Sequence, residues 1–203
     1  MDREVFFPSG ELRLHGRLFV PAAPTGACVI CHPHPLYGGS MDNNVVMALT
    51  DHLAGAGLAT LRFNFRGVGA STGSHHGTKG ESEDARAAAR YLMTETGRST
   101  TALAGYSFGA AVILGFASED FASCLVAVAP PLAMMAGGLP EQPGRPVLLI
   151  AGDADPYCRS GDLDQLYRRL NTGSKVIVLS GADHFLMGRE DEIGQAAAAF
   201  LTD

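Results

Sequence analysis

The sequence predicts an α/β fold: a mostly parallel, doubly wound sheet with helices on both faces and an antiparallel hairpin at its N-terminal end. Three observations carry this. Residues 27–31, 59–65, 124–129 and 147–151 are mainly apolar runs of strand length, as strands buried on both faces are. Helically spaced segments stand between most of these runs, which is the order of a parallel sheet wrapped by its own crossovers. Only the first segments alternate polar with apolar. The 203 residues show no repeat, linker or low-complexity tract and read as one domain, 1–203.

In chain order, Val5-Phe6-Phe7 and residues 12–20 read as two strands joined at Pro8-Ser9-Gly10, a hairpin signal. Leu12-Arg13-Leu14-His15 alternates as a half-exposed strand does. The strand at 27–31 leads into the loop from His32 to Ser40. Asn43 or Asn44 can cap a helix running to about Ala54, with Val45, Leu49 and Leu53 on one face and Gly55 and Gly57 at its end. The strand at 59–65 is followed by a glycine-rich loop, residues 66–73. No helix opens inside that loop, so it is not a dinucleotide fingerprint. A helix over 81–93 places Ala85, Ala88, Ala89 and Leu92 together, and its acidic first turn suits the helix dipole. A strand over 99–104 enters Gly105-Tyr106-Ser107-Phe108-Gly109, and an apolar helix over 108–116 leaves it. The strands at 124–129 and 147–151, a helix over 162–170, a strand at 175–179 and a helix over 190–201 complete the order.

Charged residues make up 18% of the chain, hydrophobic ones 46%, and the net charge is −6, a folded composition that does not favour nucleic acid or an anionic membrane surface. Residues 121–140 carry no charge over about a membrane-spanning length. Pro130-Pro131 and Gly137-Gly138 break that stretch, which reads as a strand followed by an apolar loop. Met1-Asp2-Arg3-Glu4 is charged and opens no apolar signal segment. Cys28 and Cys31 lie three apart in one strand and so point to opposite faces, which argues against a redox or zinc pair. Four unpaired thiols fit a reducing cytoplasm. Oligomeric state is not legible.

Gly105–Gly109 fits G-x-S-x-G between a strand and a helix, the context in which a serine stands in a strained turn at a strand's carboxyl end. Glycine at 105 and 109 removes side chains that would collide there. A serine hydroxyl needs a base, and the base needs an orienting carboxylate. Gly152-Asp153-Ala154-Asp155-Pro156 and Gly181-Ala182-Asp183-His184-Phe185 follow later strands, giving the order Ser, Asp, His. His184 is the only histidine after the elbow. Asp183, its neighbour, cannot readily fold back onto His184 Nδ1 and reads as a loop former. Both Asp153 and Asp155 lie in reach of such a role.

With the His32-Pro33-His34-Pro35-Leu36-Tyr37-Gly38-Gly39-Ser40-Met41 loop, the run from Leu61 to Gly69, the elbow, Gly152–Pro156 and Asp183-His184-Phe185, the chain resembles a small α/β-hydrolase of the dienelactone-hydrolase-like group. In particular it resembles a bacterial family of lidless predicted hydrolases carrying a His-Pro-His-Pro loop. The resemblance implies Ser107 as nucleophile, His184 as base and Asp155 as acid, with Asp153 bracing its turn. Dienelactone hydrolases proper use cysteine at the elbow where this chain has serine.

Phe108 is expected to give one oxyanion N–H and the His32–Ser40 loop the other, from Leu36 first or Tyr37 second. Pro33 and Pro35 have no N–H to give. Tyr37, Tyr106, Pro131 and Leu132 are expected around the substrate, with Met134-Met135 beside them or in the core. His32 and His34 lack the further ligands a metal needs, and His75-His76 read as solvated, so no metal and no cofactor is expected. The expected activity is hydrolysis of small carboxylic esters through an acyl-serine. Thioester, lactone or peroxyacid chemistry on the same residues, or a non-catalytic binding module, are the alternatives.

Overall fold

A computed structural model describes residues 2–135, 144–170 and 173–203. Eight strands form one sheet: β1 (Arg3–Ser9), β2 (Leu12–Phe19), β3 (Gly26–Cys31), β4 (Leu58–Phe63), β5 (Thr101–Tyr106), β6 (Ala122–Val128), β7 (Val147–Gly152) and β8 (Lys175–Leu179). The helices are α1 (Asn44–Gly55), α2 (Thr78–Thr96), α3 (Phe108–Leu114), α4 (Ser160–Tyr167) and α5 (Glu190–Thr202). The strand order is β1-β2-β4-β3-β5-β6-β7-β8. β1 and β2 pair antiparallel, β2 meets β4 antiparallel, and every pair from β4 to β8 is parallel.

The expected architecture holds, with boundary shifts that have local causes. The elbow strand runs two residues later than its apolar start suggests, because Ser107 itself still donates to Val128 O at 2.8 Å. α2 extends three residues beyond the expected span at each end, to the left-handed Gly97 (φ 67°) that stops it. The acids of its first turns do not face water. Glu81 and Asp84 are fully buried, and Asp84 grips the Arg66 guanidinium through Nε at 3.0 Å and Nη2 at 2.8 Å. Asn43 is the cap of α1, its side chain accepting from Val45 N at 3.0 Å.

Two apolar layers sandwich the sheet. α1 and α5 cover the face carrying Cys28 and Ile30, while α2, α3 and α4 cover the face carrying Val29 and Cys31. Cys28 and Cys31 thus sit in different cores, as their spacing requires, and burial pushes both thiols up. The winding direction reverses at β3. The chain leaves β3 for β4 on one side and then crosses to β5 on the other. Loops from the carboxyl ends of β3 and β5 therefore diverge and leave a crevice between them.

No lid stands over this end among the described residues. The part of the expected apolar loop that contains Gly137-Gly138 lies in residues 136–143, outside the described residues. No helix among the described residues is long and apolar enough to cross a membrane.

Candidate active site

Ser107 caps α3 at φ 53° and ψ −113°, a conformation that side chains rarely adopt. Packing holds it there. A Cβ on Gly105 would lie 2.4 Å from the carbonyl carbon and oxygen of Gly109. One on Gly109 would lie 2.3 Å from Cys31 O and 2.7 Å from His32 O. The turn therefore closes on itself and also on the end of β3, and each contact excludes a side chain.

Ser107 Oγ lies 2.9 Å from His184 Nε2, and His184 Nδ1 lies 2.8 Å from Asp155 Oδ2. A carboxylate can only accept, so Nδ1 carries the imidazole proton and Nε2 presents its lone pair to the serine hydroxyl. Asp155 is 4% exposed, and its other oxygen accepts from Tyr157 N at 2.8 Å and Cys158 N at 3.1 Å. Asp153 faces away. Its carboxylate accepts from Gly181 N at 2.8 Å and Ser180 Oγ at 3.2 Å, tying the turn after β7 to the turn after β8. Such an array can take a proton from a hydroxyl as that oxygen attacks a carbonyl.

The loop carrying His184 is fixed at several points. Tyr106 Oη donates to His184 O at 3.0 Å, and burial pushes this phenol up to about 12, so it keeps its proton. Asp183 accepts from Phe185 N at 2.9 Å, as a loop former. Leu186, at φ 56°, is fully buried and anchors the far side.

The His-Pro-His-Pro loop corrects part of the sequence reading. His32 is fully buried, and Phe65 N donates to its Nε2 at 3.1 Å, so the ring proton sits on Nδ1 and points at Pro33 O, 2.6 Å away. Burial lowers its pKa to about 4. Both ring nitrogens are engaged, so His32 is a brace between the loops after β3 and β4. Leu36 was the expected second oxyanion donor, but its N–H is turned to His34 Nδ1 at 3.2 Å. Tyr37 N and Gly39 N both donate to His34 O at 3.1 Å. The cause is a single 3₁₀ turn at Pro35–Tyr37 that folds these amides back on His34.

A cleft of about 430 Å³ opens beside Ser107, lined by His34, Tyr37, Tyr106, Phe108, Met134, Tyr157, His184 and Phe185, with Pro33, Gly38, Gly39 and Asn43. Tyr37 and Tyr106 stand where expected. Pro131 and Leu132 do not line it. A 3₁₀ turn at Leu132–Met134 sends Leu132 to the core and Met134 outward to the cleft. His75 is also not simply solvated. Its Nδ1 meets the buried Glu81 carboxylate at 2.7 Å, and its ring lies 4.9 Å from that of His34 and 5.6 Å from that of Phe108. Sequence reasoning missed Tyr157 and Phe185, although each follows a candidate triad residue within two positions.

The family model described as alpha/beta hydrolase fold matches residues 29–143. An uncharacterised protein of Rickettsia prowazekii is 30% identical over 98% of this chain and 88% of its own length. An alpha-beta serine hydrolase homologue from Coxiella burnetii superposes with a TM-score of 0.88 at 32% identity, covering 98% of this chain and 97% of that one. A lidless serine hydrolase from Xanthomonas campestris does so with a TM-score of 0.85 at 29% identity, covering 98% and 93%. The reversal of winding at β3, the strained serine in the crevice beside it and these likenesses lead to one assignment: the chain belongs to the alpha/beta hydrolase family and is a small lidless hydrolase of that fold.

Proposed function

We propose that the protein is a serine hydrolase of small carboxylic esters, working through an acyl-serine. The observation that carries this is the continuous chain from Ser107 Oγ to His184 at 2.9 Å and on to Asp155 at 2.8 Å, at the edge of an open cleft. Ser107 Oγ adds to the ester carbonyl while its proton passes to His184 Nε2. The same proton goes to the alcohol oxygen as the C–O bond breaks. Water then adds to the acyl-serine, again losing its proton to His184. That proton returns to Ser107 Oγ as the acid leaves, so one ester and one water give one acid and one alcohol. Asp155 stabilises the transient imidazolium.

Two backbone N–H groups are needed for the oxyanion. Phe108 N–H is the first amide of α3 and has no acceptor within the helix. For the second, the reading moves from Leu36 to His34. Pro33 and Pro35 have no N–H, and those of Leu36, Tyr37 and Gly39 are bound within the loop. Of the other loop amides, that of His34 is favoured: His34 is only two residues beyond His32, whose carbonyl lies against the elbow, and its ring contacts Phe108 at 4.9 Å.

The cleft is small and open, so a long acyl chain would remain partly in water and gain little of the roughly 0.8 kcal/mol that burying each methylene provides. The test is kcat/KM across p-nitrophenyl acetate, butyrate, octanoate and palmitate, with the matching acyl thioesters alongside. The expected result is a maximum at acyl chains of up to about six carbons, with esters ahead of thioesters. A steady rise through palmitate contradicts the small site, and faster thioester turnover moves the substrate class.

A further inference from the structure

The proposed reaction fixes which part of an ester lies where. The alcohol oxygen must take its proton from His184 Nε2, so the alcohol portion sits on the His184 side of the cleft. Two rings stand against that imidazole edge-on. Tyr157 is 4.8 Å away at 70° and Phe185 6.0 Å away at 78°. Both are cleft-lining yet 41% and 64% exposed, an apolar surface with nothing packed on it among the described residues. The whole chain has five tyrosines, ten phenylalanines and no tryptophan. Five of those fifteen rings line this one cleft, so its aromatic character is not background composition. No Lys, Arg, Asp or Glu lines it among the described residues, which disfavours a charged alcohol portion.

We infer that Tyr157 and Phe185 form a subsite for an uncharged aromatic ring in the alcohol portion of the ester, a specificity that rests on the serine-esterase reading above. Ring-on-ring contacts have a geometric preference beyond area burial, worth roughly threefold to tenfold in a discrimination ratio. p-Nitrophenyl esters cannot reveal this, because every member carries the same aromatic leaving group.

The test compares benzyl acetate with cyclohexylmethyl acetate, two primary-alcohol esters with the same number of carbons, with p-nitrophenyl acetate as reference. The saturated ring is the bulkier and more water-averse, so an undifferentiated apolar rim favours it. The expected result is a kcat/KM ratio of roughly threefold or more for benzyl, falling about twofold or more in both Tyr157→Leu and Phe185→Leu. Reading the ratio within each variant removes any general loss of activity. A ratio at or below one, or one unchanged in both variants, overturns the subsite while p-nitrophenyl acetate is still turned over. No turnover of any of the three acetates overturns the esterase reading and this inference with it.

Discussion

At the residue scale, the two aspartates after β7 separate cleanly. In the sequence they are alternatives two positions apart, and only the backbone turn decides which reaches His184. Asp155→Asn should cut kcat by about 10³-fold or more with the fold intact, because an amide can hold the wrong imidazole tautomer and offers no counter-charge. Asp153→Asn should keep activity and lower stability by about 1 kcal/mol, the usual worth of its bonds to Gly181 and Ser180. Steady-state rates and urea midpoints of both variants check this, and the reversed pattern would move the acid to Asp153. His32 gives a pH prediction. Its folded pKa is lowered from 6.5 to about 4 by burial, so between those values the unfolded chain binds more protons. Its contribution is present above about pH 6.5 and is lost as pH falls towards 4, up to about 3 kcal/mol. In His32→Gln that part of the slope of unfolding free energy against pH should vanish. An unchanged slope would mean that other groups set the acid limit. Ser107 and His184 were legible because spacing and chain order define them. The second oxyanion donor, expected at Leu36 or Tyr37, was not, because the direction of an amide depends on a turn that those residues do not announce.

At the element scale, the elbow is held by two glycines whose reasons differ. Gly105 faces the turn itself, whereas Gly109 faces the end of β3. Both substitutions Gly105→Ala and Gly109→Ala put a methyl against backbone that has no room to yield, so each should lower stability by about 2 kcal/mol or more. Gly161→Ala, where a Cβ meets nothing within 4 Å, is the control and should be near neutral. Chemical denaturation reads all three, and a neutral Gly109→Ala would show that the β3–elbow contact is looser than described. The periodicities identified each strand and helix described here but misplaced ends. The burial of Glu81 and Asp84 in α2 was invisible, since acids in a first turn ordinarily face water. Their partners, His75 and Arg66, lie in the preceding loop, and nothing in local spacing links them.

At the scale of the whole molecule, the sheet order does what no single motif can. It brings the ends of β3, β5, β7 and β8 to one edge, where His34, Ser107, Asp155 and His184 meet from four separate loops. Alternation of strands and helices made the parallel sheet legible. The aromatic walls Tyr157 and Phe185 were not, because side-chain direction in loops carries no period. The account stands or falls on Ser107 as the reacting atom. The direct measurement is labelling with a fluorophosphonate, followed by peptide mass spectrometry of the wild type and Ser107→Ala. The account predicts a single phosphonyl adduct on Ser107, no adduct in the variant, and a loss of about 10³-fold or more in the variant's ester turnover. An adduct on another residue, or a Ser107→Ala protein that still hydrolyses esters at the wild-type rate, would contradict it.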